Sequence, residues 1–339
     1  MKTILLITDG KPGHENISKG VIDTIAQHHR IRVVEVKAKL RSSLFKRAIK
    51  MLLNRSILWH EKKWFVKLFY KGDPIPEKTA FDLIVSTGGA TSFLNIMLSR
   101  YCHAPNIYCS SLRGLKHTHF THIVSLVEHG YDNEIIVDVA PLMLKFDNEK
   151  VAFFKKEYHI QDSDRIWSVL IGGSTKDYIF SIEDMEKMFM NMISLAKKHN
   201  AKLCITTSRR TSQEAEQRLS ELYKREKGII KKCVCYHREP EKVIGTFLAI
   251  AERIFVTEDS GSMITESVLS QKPVYTIRTS DSSPKGIYKS FMNRLLEKKR
   301  VVSVDIDRIS ALTLKEQITS IEQSPGEKVY NEIKYLLEE

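Results

Sequence analysis

Short apolar runs rich in valine and isoleucine alternate with amphipathic stretches of helix length along this 339-residue chain. The runs are too short for helices, while the stretches between them carry apolar residues at helical spacing, so the pattern predicts strands that alternate with helices. Such alternation favours parallel sheets covered by helices on both faces. In the first half of the chain, the predicted strands are residues 3–8, 31–36, 83–86, 106–109 and 122–126.

The alternating pattern stops in a polar stretch around residues 145–165 and then begins again. Because a single core stops growing at about 250–300 residues, this restart predicts two domains, at residues 1–150 and 151–325. A last helix within residues 326–339 is expected to cross the domain junction. In the second half, the predicted strands are 167–171, 201–206, 232–236, 253–257 and 274–277, and the predicted helices are 182–199, 213–224, 239–251 and 263–270.

The composition of the chain limits where the protein can act and which cofactors it can bind. No apolar stretch approaches the roughly 20 residues that cross a bilayer, which predicts a cytoplasmic protein. The five cysteines form no C-x-x-C pair, so we expect reduced thiols without a disulfide or zinc framework. His117, His119 and His122 lack a nearby acid or cysteine in the sequence, and we interpret them as surface or strand-edge residues. Neither a metal nor a cofactor is predicted.

Much of the net charge of +12 lies in a basic, aromatic-rich segment, residues 37–71. On a helix, Phe45, Ile49, Leu52 and Leu53 would share one face, with the basic residues toward the other. This pattern predicts either contact with an anionic membrane surface or an ordinary solvated helix, and both alternatives stay open. Nucleic acid is a disfavoured partner because no recognised binding motif accompanies the charge. Membrane contact would place the protein peripherally on the inner face of the cytoplasmic membrane.

Small and polar residues follow several predicted strands at the point where each strand ends. In open α/β sheets ligands bind at this edge, and glycines, hydroxyl groups and helix N-termini suit phosphate oxygens. The loops therefore predict a phosphate-ester site, against the alternative that they are plain tight turns. A Walker A pattern is absent, which disfavours ATPase chemistry. The candidate residues are Asp9, Gly13, His14, Gly88, Gly89, Gly172, Gly173, Ser174, Ser208, Arg209, Arg210, Glu258, Asp259, Ser260, Gly261 and Ser262.

The stretch "VTEDSGSMITESVLSQKPVYTI", residues 256–277, resembles the donor-binding half of GT-B glycosyltransferases and of UDP-N-acetylglucosamine 2-epimerases. The resemblance implies an α/β fold of two Rossmann-like domains with a cleft between them. It also implies that Ser260, Gly261, Ser262 and Met263 line a diphosphate pocket and that Glu266 bonds the ribose of a nucleotide sugar, which is a substrate and not a cofactor.

Five ordered motifs carry a second resemblance: "DGKPGHENISKGV", "STGGATS", "IGGSTKDY", "TTSRRT" and "TEDSGSMITES". Together they resemble the mitochondrial fission family named for elongated mitochondria. That family name implies no chemistry, so the functional hypothesis rests on the GT-B resemblance.

The first of these motifs contains "TDGKPGH", which is similar to a glycine-rich turn of the peptidoglycan glycosyltransferase that adds N-acetylglucosamine to a lipid. The similarity implies that Asp9 or His14 takes the proton of the acceptor hydroxyl, with Gly13, Gly88 and Gly89 on the acceptor side. The chain departs from that enzyme by placing Lys11 and Pro12 within the turn. An alternative role for His14 is to cap a helix that begins near Glu15.

The resulting hypothesis is a metal-independent glycosyltransferase that moves a sugar from a nucleotide-sugar donor to a membrane lipid or glycolipid. Arg209, Arg210 and a helix N-terminus would stabilise the leaving diphosphate. Two alternatives remain: a nucleotide-sugar 2-epimerase-like enzyme, which would leave the basic segment unexplained, and a non-catalytic adaptor that retains the GT-B fold.

Overall fold

The computed structural model describes residues 1–55, 63–72, 74–76, 80–279, 281–314 and 319–338. The chain divides into two compact units. The first comprises Met1–Met143 together with Gln323–Glu339, and the second comprises Leu144–Glu322.

The first unit contains a parallel six-stranded sheet with the order β2-β1-β3-β4-β5-β6. Strand β1 is buried from its second residue onward, because neighbours pair on both its edges and helices cover both faces. The strands are β1 Lys2–Thr8, β2 Ile31–Lys37, β3 Leu83–Ser86, β4 Asn106–Cys109, β5 His122–Ser125 and β6 Glu134–Ile136. The helices are α1 Pro12–His28, α2 Phe45–Asn54, α3 Lys63–Phe69 and α4 Gly89–Cys102.

The second unit contains another parallel six-stranded sheet, with the order β12-β11-β10-β7-β8-β9. Its largest buried cluster joins Trp167 and Phe255 of the sheet to Met188 and Phe189 of the helix between β7 and β8. The strands are β7 Arg165–Leu170, β8 Ala201–Thr206, β9 Ile230–Val234, β10 Arg253–Thr257, β11 Val274–Arg278 and β12 Val302–Asp305. The helices are α5 Asn148–Glu157, α6 Ile182–Lys198, α7 Gln213–Arg225, α8 Ile244–Ile250, α9 Gly261–Leu269 and α10 Gly286–Glu297.

The C-terminal segment returns to the first unit as α11 Pro325–Ile333 and α12 Tyr335–Glu338. Helix α11 packs on α1. A Cβ on Gly326 would lie 2.2 Å from Thr24 Oγ1, so a residue without a side chain is needed at this crossing. Tyr330 stacks on His28 with ring centroids 4.0 Å apart.

The strand-and-helix alternation is confirmed, with local differences. Strands β6 and β12 were not predicted, because each is a short strand at a sheet edge. The predicted strand at 232–236 begins two residues earlier, and the predicted helix at 239–251 covers only Ile244–Ile250 because Pro240 interrupts its start. Across the described ranges, no helix combines the length and the apolar character needed to cross a membrane.

Candidate functional site

Each sheet has one position at which the strand order reverses direction. In the first unit this switch point lies between β1 and β3, and in the second between β7 and β10. Ligands of open α/β sheets bind beyond the carboxyl ends of the strands at such points. Asp9 follows β1 and Gly88 follows β3, while Gly172 follows β7 and Glu258 follows β10, so four of the predicted loops lie at the two switch points.

Asp9 and His14 form a hydrogen-bonded pair at the first switch point. His14 Nδ1 lies 2.9 Å from Asp9 Oδ2 and 3.1 Å from Oδ1. The Asp9 carboxylate is 8% exposed and the His14 side chain 30% exposed. Because a carboxylate oxygen accepts, His14 Nδ1 is the donor of this hydrogen bond, and in the neutral imidazole this tautomer leaves a lone pair on Nε2.

The local sequence explains how this pair is built. Gly10 has a φ of +75°, which turns the chain after β1, and Asp9 Oδ1 accepts a bond from the Lys11 backbone N–H at 3.2 Å. Pro12 then starts α1, and His14 lies in the first helical turn. The alternative that His14 caps a helix beginning near Glu15 is therefore wrong, because the N-cap is Lys11 and no side chain caps this helix.

The turn after β3 closes against the same pair. Gly88 has a φ of +101°, and a Cβ there would lie 2.3 Å from His14 Nδ1, so the backbone packs directly on the imidazole ring. A Cβ on Gly89 would lie 3.1 Å from Arg113 Nη1. Gly13 is exposed and has open space around its Cβ position, so no close approach requires it.

At the second switch point, Asp259 connects the loops after β7, β8 and β10. Its Oδ2 accepts from the Gly173 backbone N–H at 3.0 Å and from Arg210 Nη2 at 2.5 Å. A Cβ on Gly172 would lie 2.1 Å from the same oxygen, which explains the glycine. Among the described residues, Asp259 Oδ1 is buried without a hydrogen-bond partner.

The polar residues around this carboxylate have mixed roles. Ser208 Oγ donates to Gly172 O at 3.0 Å and so joins the loops after β7 and β8. Ser174 Oγ both accepts from and donates to the backbone of Phe180, which closes the loop after β7. Arg209 is exposed, whereas Arg210 pairs with Asp259. The two arginines are therefore not equivalent.

The carboxylate of Glu258 points into the second unit. It is 3% exposed and accepts from Thr276 Oγ1 at 2.8 Å and from Ser303 Oγ. These hydrogen bonds stabilise the interior and hold the carboxylate away from the helix N-terminus that follows it.

Helix α9 begins at Gly261, has Ser260 at its N-cap without a side-chain cap and carries no acid in its first turn. Its leading N–H groups can therefore receive an anion. Ser262 is exposed and Met263 buried. Burial raises the pKa of Glu266, one turn further on, and no described residue offsets this shift by a hydrogen bond or ion pair.

An open pocket of about 630 Å³ extends from Asp259 to the start of α10 and brings in residues that the sequence analysis did not select. Tyr288 packs on Gly261 and donates from its hydroxyl to Glu258 O. Lys176 and Lys285 also line the pocket. The signal available in the sequence was a second glycine-led helix, at Gly286, preceded by a lysine.

The structure describes the basic segment only in part, since residues 56–62, which include Lys62 and the apolar positions 57–59, lie outside the described residues. Ile49 and Leu53 of α2 are buried, as its amphipathic pattern predicts. His119, interpreted from the sequence as a surface or strand-edge residue, is buried: its Nδ1 accepts from Arg100 Nη2 at 2.9 Å and its Nε2 donates to Asn54 Oδ1 at 3.1 Å. No set of three or more His, Cys, Asp or Glu in the described part of the chain is arranged to hold a metal ion.

A sequence comparison identifies the family. A family model described as Mitochondrial fission ELM1 matches residues 12–325. The chain belongs to this family. The match includes His14 and all the candidate residues of the second unit, whereas β1 and Asp9 precede it. No match to a protein of curated function was found for this ELM1-family chain.

Solved structures share the architecture of the ELM1-family chain. The UDP-GlcNAc 2-epimerase of Methanocaldococcus jannaschii has a TM-score of 0.57 at 12% identity, covering 98% of this chain and 99% of that one. The Neisseria meningitidis 2-epimerase, bound to UDP-GlcNAc, gives 0.56 at 14% identity, with 100% of both chains covered. Escherichia coli ADP-heptose LPS heptosyltransferase II gives 0.50 at 11%, covering 99% and 98%. The ELM1-family chain thus has an α/β fold of the GT-B kind, with two Rossmann-like domains.

Proposed function

We propose that this protein is a metal-independent glycosyltransferase that uses a nucleotide-sugar donor. The second unit binds the donor and the first unit activates the hydroxyl of the acceptor. The observation that carries the proposal is the Asp9–His14 pair at the switch point of the first sheet.

In this mechanism His14 is the general base and Asp9 is the residue that positions it. Asp9 accepts from Nδ1 and fixes the tautomer, so Nε2 is available to take the acceptor proton as the hydroxyl attacks the sugar. The imidazolium that forms is stabilised by the adjacent carboxylate. With 30% of its side chain exposed, His14 is accessible to an acceptor.

Donor binding is assigned to α9 and the loops beside it. The N–H groups of Gly261 and Ser262 would receive the diphosphate, and the helix dipole would stabilise the negative charge that develops as it leaves. Arg209 is the better candidate to contact a phosphate, since Arg210 already pairs with Asp259. Glu266 would accept hydrogen bonds from the ribose hydroxyls. The Neisseria meningitidis relative bound to UDP-GlcNAc supports a nucleotide sugar as the ligand.

For the acceptor we propose a membrane lipid or glycolipid, with the protein acting in the cytoplasm and peripherally on the inner face of the cytoplasmic membrane. The net charge of +12 and the basic residues on α2 support this assignment, because anionic lipids attract them.

The test has a binding step and a turnover step. Thermal-shift measurements with nucleoside diphosphates and their sugars should show stabilisation by at least one of them. With that donor and a membrane-lipid extract, His14→Asn should slow release of the nucleoside diphosphate by about 10²–10⁴-fold and leave donor binding unchanged. His103→Asn is the matched control, since His103 is exposed in a left-handed position that asparagine tolerates.

Other outcomes favour the alternatives. Isomerisation of the sugar with the nucleotide-sugar recovered intact would indicate a 2-epimerase-like enzyme. If no nucleotide or nucleotide sugar stabilises the protein, glycosyl transfer is refuted and a non-catalytic adaptor becomes the better hypothesis.

A further inference from the structure

A small pocket in the first unit is lined by four cationic side chains. Lys46, Arg47 and Lys50 come from α2, and Arg113 comes from the loop after β4. They surround about 180 Å³ in front of the first turn of α4. Neither the donor site nor the Asp9–His14 pair uses any of these side chains.

Hydrogen bonds from α2 hold the loop that carries Arg113. Lys50 Nζ donates to Arg113 O at 3.2 Å, and Asn54 Nδ2 donates to Gly114 O at 2.9 Å. Asn54 Oδ1 in turn accepts from Lys116 N at 3.1 Å. Arg113 itself has a φ of +50°, a left-handed conformation that costs free energy in a residue with a side chain. Strained backbone of this kind persists where the surrounding structure fixes it, often at binding sites.

The charge of the pocket is unbalanced. No acidic residue lines it, and none of its four cations pairs with a carboxylate among the described residues. Helix α4 adds the positive end of its dipole, since it has no acid in its first turn and no side-chain cap. Like charges held this closely repel one another, so a bound anion would be stabilised by all of them.

The volume of the pocket and the residues at its base indicate which kind of anion it can bind. Its volume is below the roughly 300–1,000 Å³ of typical small-molecule sites, so it suits one charged group and not a whole nucleotide. A phosphate monoester carries a charge of about −1.5 to −2 and offers three acceptor oxygens, which fits four cations better than a single carboxylate does. Buried Phe93, Tyr108 and Leu112 form an apolar floor for the group attached to it.

We propose that this pocket binds the phosphate group of a phosphate-bearing ligand. Two consecutive glycines connect it to the Asp9–His14 pair: Gly88 packs on the His14 ring, and Gly89 faces the guanidinium of Arg113. A ligand with its phosphate in the pocket can therefore extend a hydroxyl toward His14. The extension of a hydroxyl toward His14 rests on the proposed function, in which this ligand would be the acceptor. Binding of the phosphate in the pocket does not depend on that function.

The experiment compares two double variants of the full chain. Arg47→Gln with Arg113→Gln removes two charges from the pocket. Arg32→Gln with Arg55→Gln removes two exposed charges of the same unit that do not line it. Binding is measured with glycerol 3-phosphate by calorimetry and with phosphatidic acid in phosphatidylcholine vesicles by sedimentation. Thermal unfolding of each variant is measured to check that it remains folded.

We expect the pocket variant to bind phosphate at least about tenfold more weakly and the control variant to stay within about twofold of the parent. Binding of vesicles but not of glycerol 3-phosphate would identify a lipid headgroup, and binding of glycerol 3-phosphate but not of vesicles would identify a soluble phosphate. Equal losses in the two variants, or no binding of either probe by the parent, would overturn the proposal. Nucleotide binding should be unchanged in the pocket variant. If the parent binds phosphate but no nucleotide, the proposed function fails while the phosphate site stands.

Discussion

Replacing Arg210 by glutamine should destabilise the second unit, although Arg210 is a surface residue. Its guanidinium contacts Asp259 Oδ2 through both Nε and Nη2, at 3.2 and 2.5 Å. The side chain of Asp259 is 0% exposed, so in Arg210→Gln a charged carboxylate would stay in the interior with the Gly173 N–H as its main donor.

The expected loss in the free energy of unfolding lies between two limits. Removing one partner of a fully buried ion pair costs about 3–5 kcal/mol, while exposed pairs contribute only about 0.2–1 kcal/mol. Because Arg210 is 39% exposed, solvent screens part of the attraction, and we expect about 1–3 kcal/mol. For a unit of this size, a change of 2 kcal/mol corresponds to a fall in Tm of about 4–8 °C.

Calorimetry can measure this fall in Tm and assign it to the second unit, since a protein of two units is expected to unfold in more than one transition. Arg209→Gln is the matched control, because Arg209 is exposed and does not contact Asp259. Asp259→Asn in the Arg210→Gln background should recover part of the loss, since no buried charge then remains. The reasoning would be refuted if the Arg209 and Arg210 variants had the same Tm, or if the Asp259→Asn change added its full cost to that of Arg210→Gln.

Three further predictions concern single side chains. Because burial raises the pKa of Glu266, ionisation of this side chain costs stability as the pH rises through that pKa. Glu266→Gln should therefore raise Tm at neutral pH, lose this gain near pH 4 and weaken nucleotide binding. A difference in Tm between variant and parent that stays the same across this pH range would contradict the prediction. The hydrogen bond from Cys233, 3.8 Å away, lowers the pKa of the Cys235 thiol, while burial raises the pKa of Cys204 to about 12. Of these two buried thiols, mass spectrometry should find Cys235 alkylated before Cys204; equal rates would argue against this. Gly88→Ala should displace His14 and reduce turnover while donor affinity stays constant, and full activity would exclude the close contact as a requirement.

The sequence predicted the fold because buried parallel strands have a pattern that does not depend on distant residues. Strands β3, β4, β8 and β10 have the predicted bounds, and each is a short apolar run followed by small or polar residues. Edge strand β12 was missed because it is only half-buried, which leaves no continuous apolar run. Its position depends on pairing with β11, a tertiary contact that local patterns do not contain.

The candidate sites show the same limit at the level of side chains. Position after a strand was enough to select Asp9 and Asp259, but not to indicate which way each neighbour points. Glu258 and Asp259 are adjacent, yet one carboxylate is held among Thr276 and Ser303 and the other pairs with Arg210. The cationic pocket was not predicted, because it needs Arg113 to approach α2 across a separation in sequence that no motif spans.

The return of the C-terminal segment to the first unit bears on the order in which the chain can fold during synthesis. Val21, Ile22 and Ile25 of α1 pack in one cluster with Val329 and Ile333, which the ribosome adds only after the whole second unit. Until then α1 carries an uncovered apolar strip, while the second unit is one continuous segment that can complete its own core. The unit that is synthesised first is thus the last to be finished, and a nascent chain that stops before residue 323 would present that strip to chaperones or to another copy of itself.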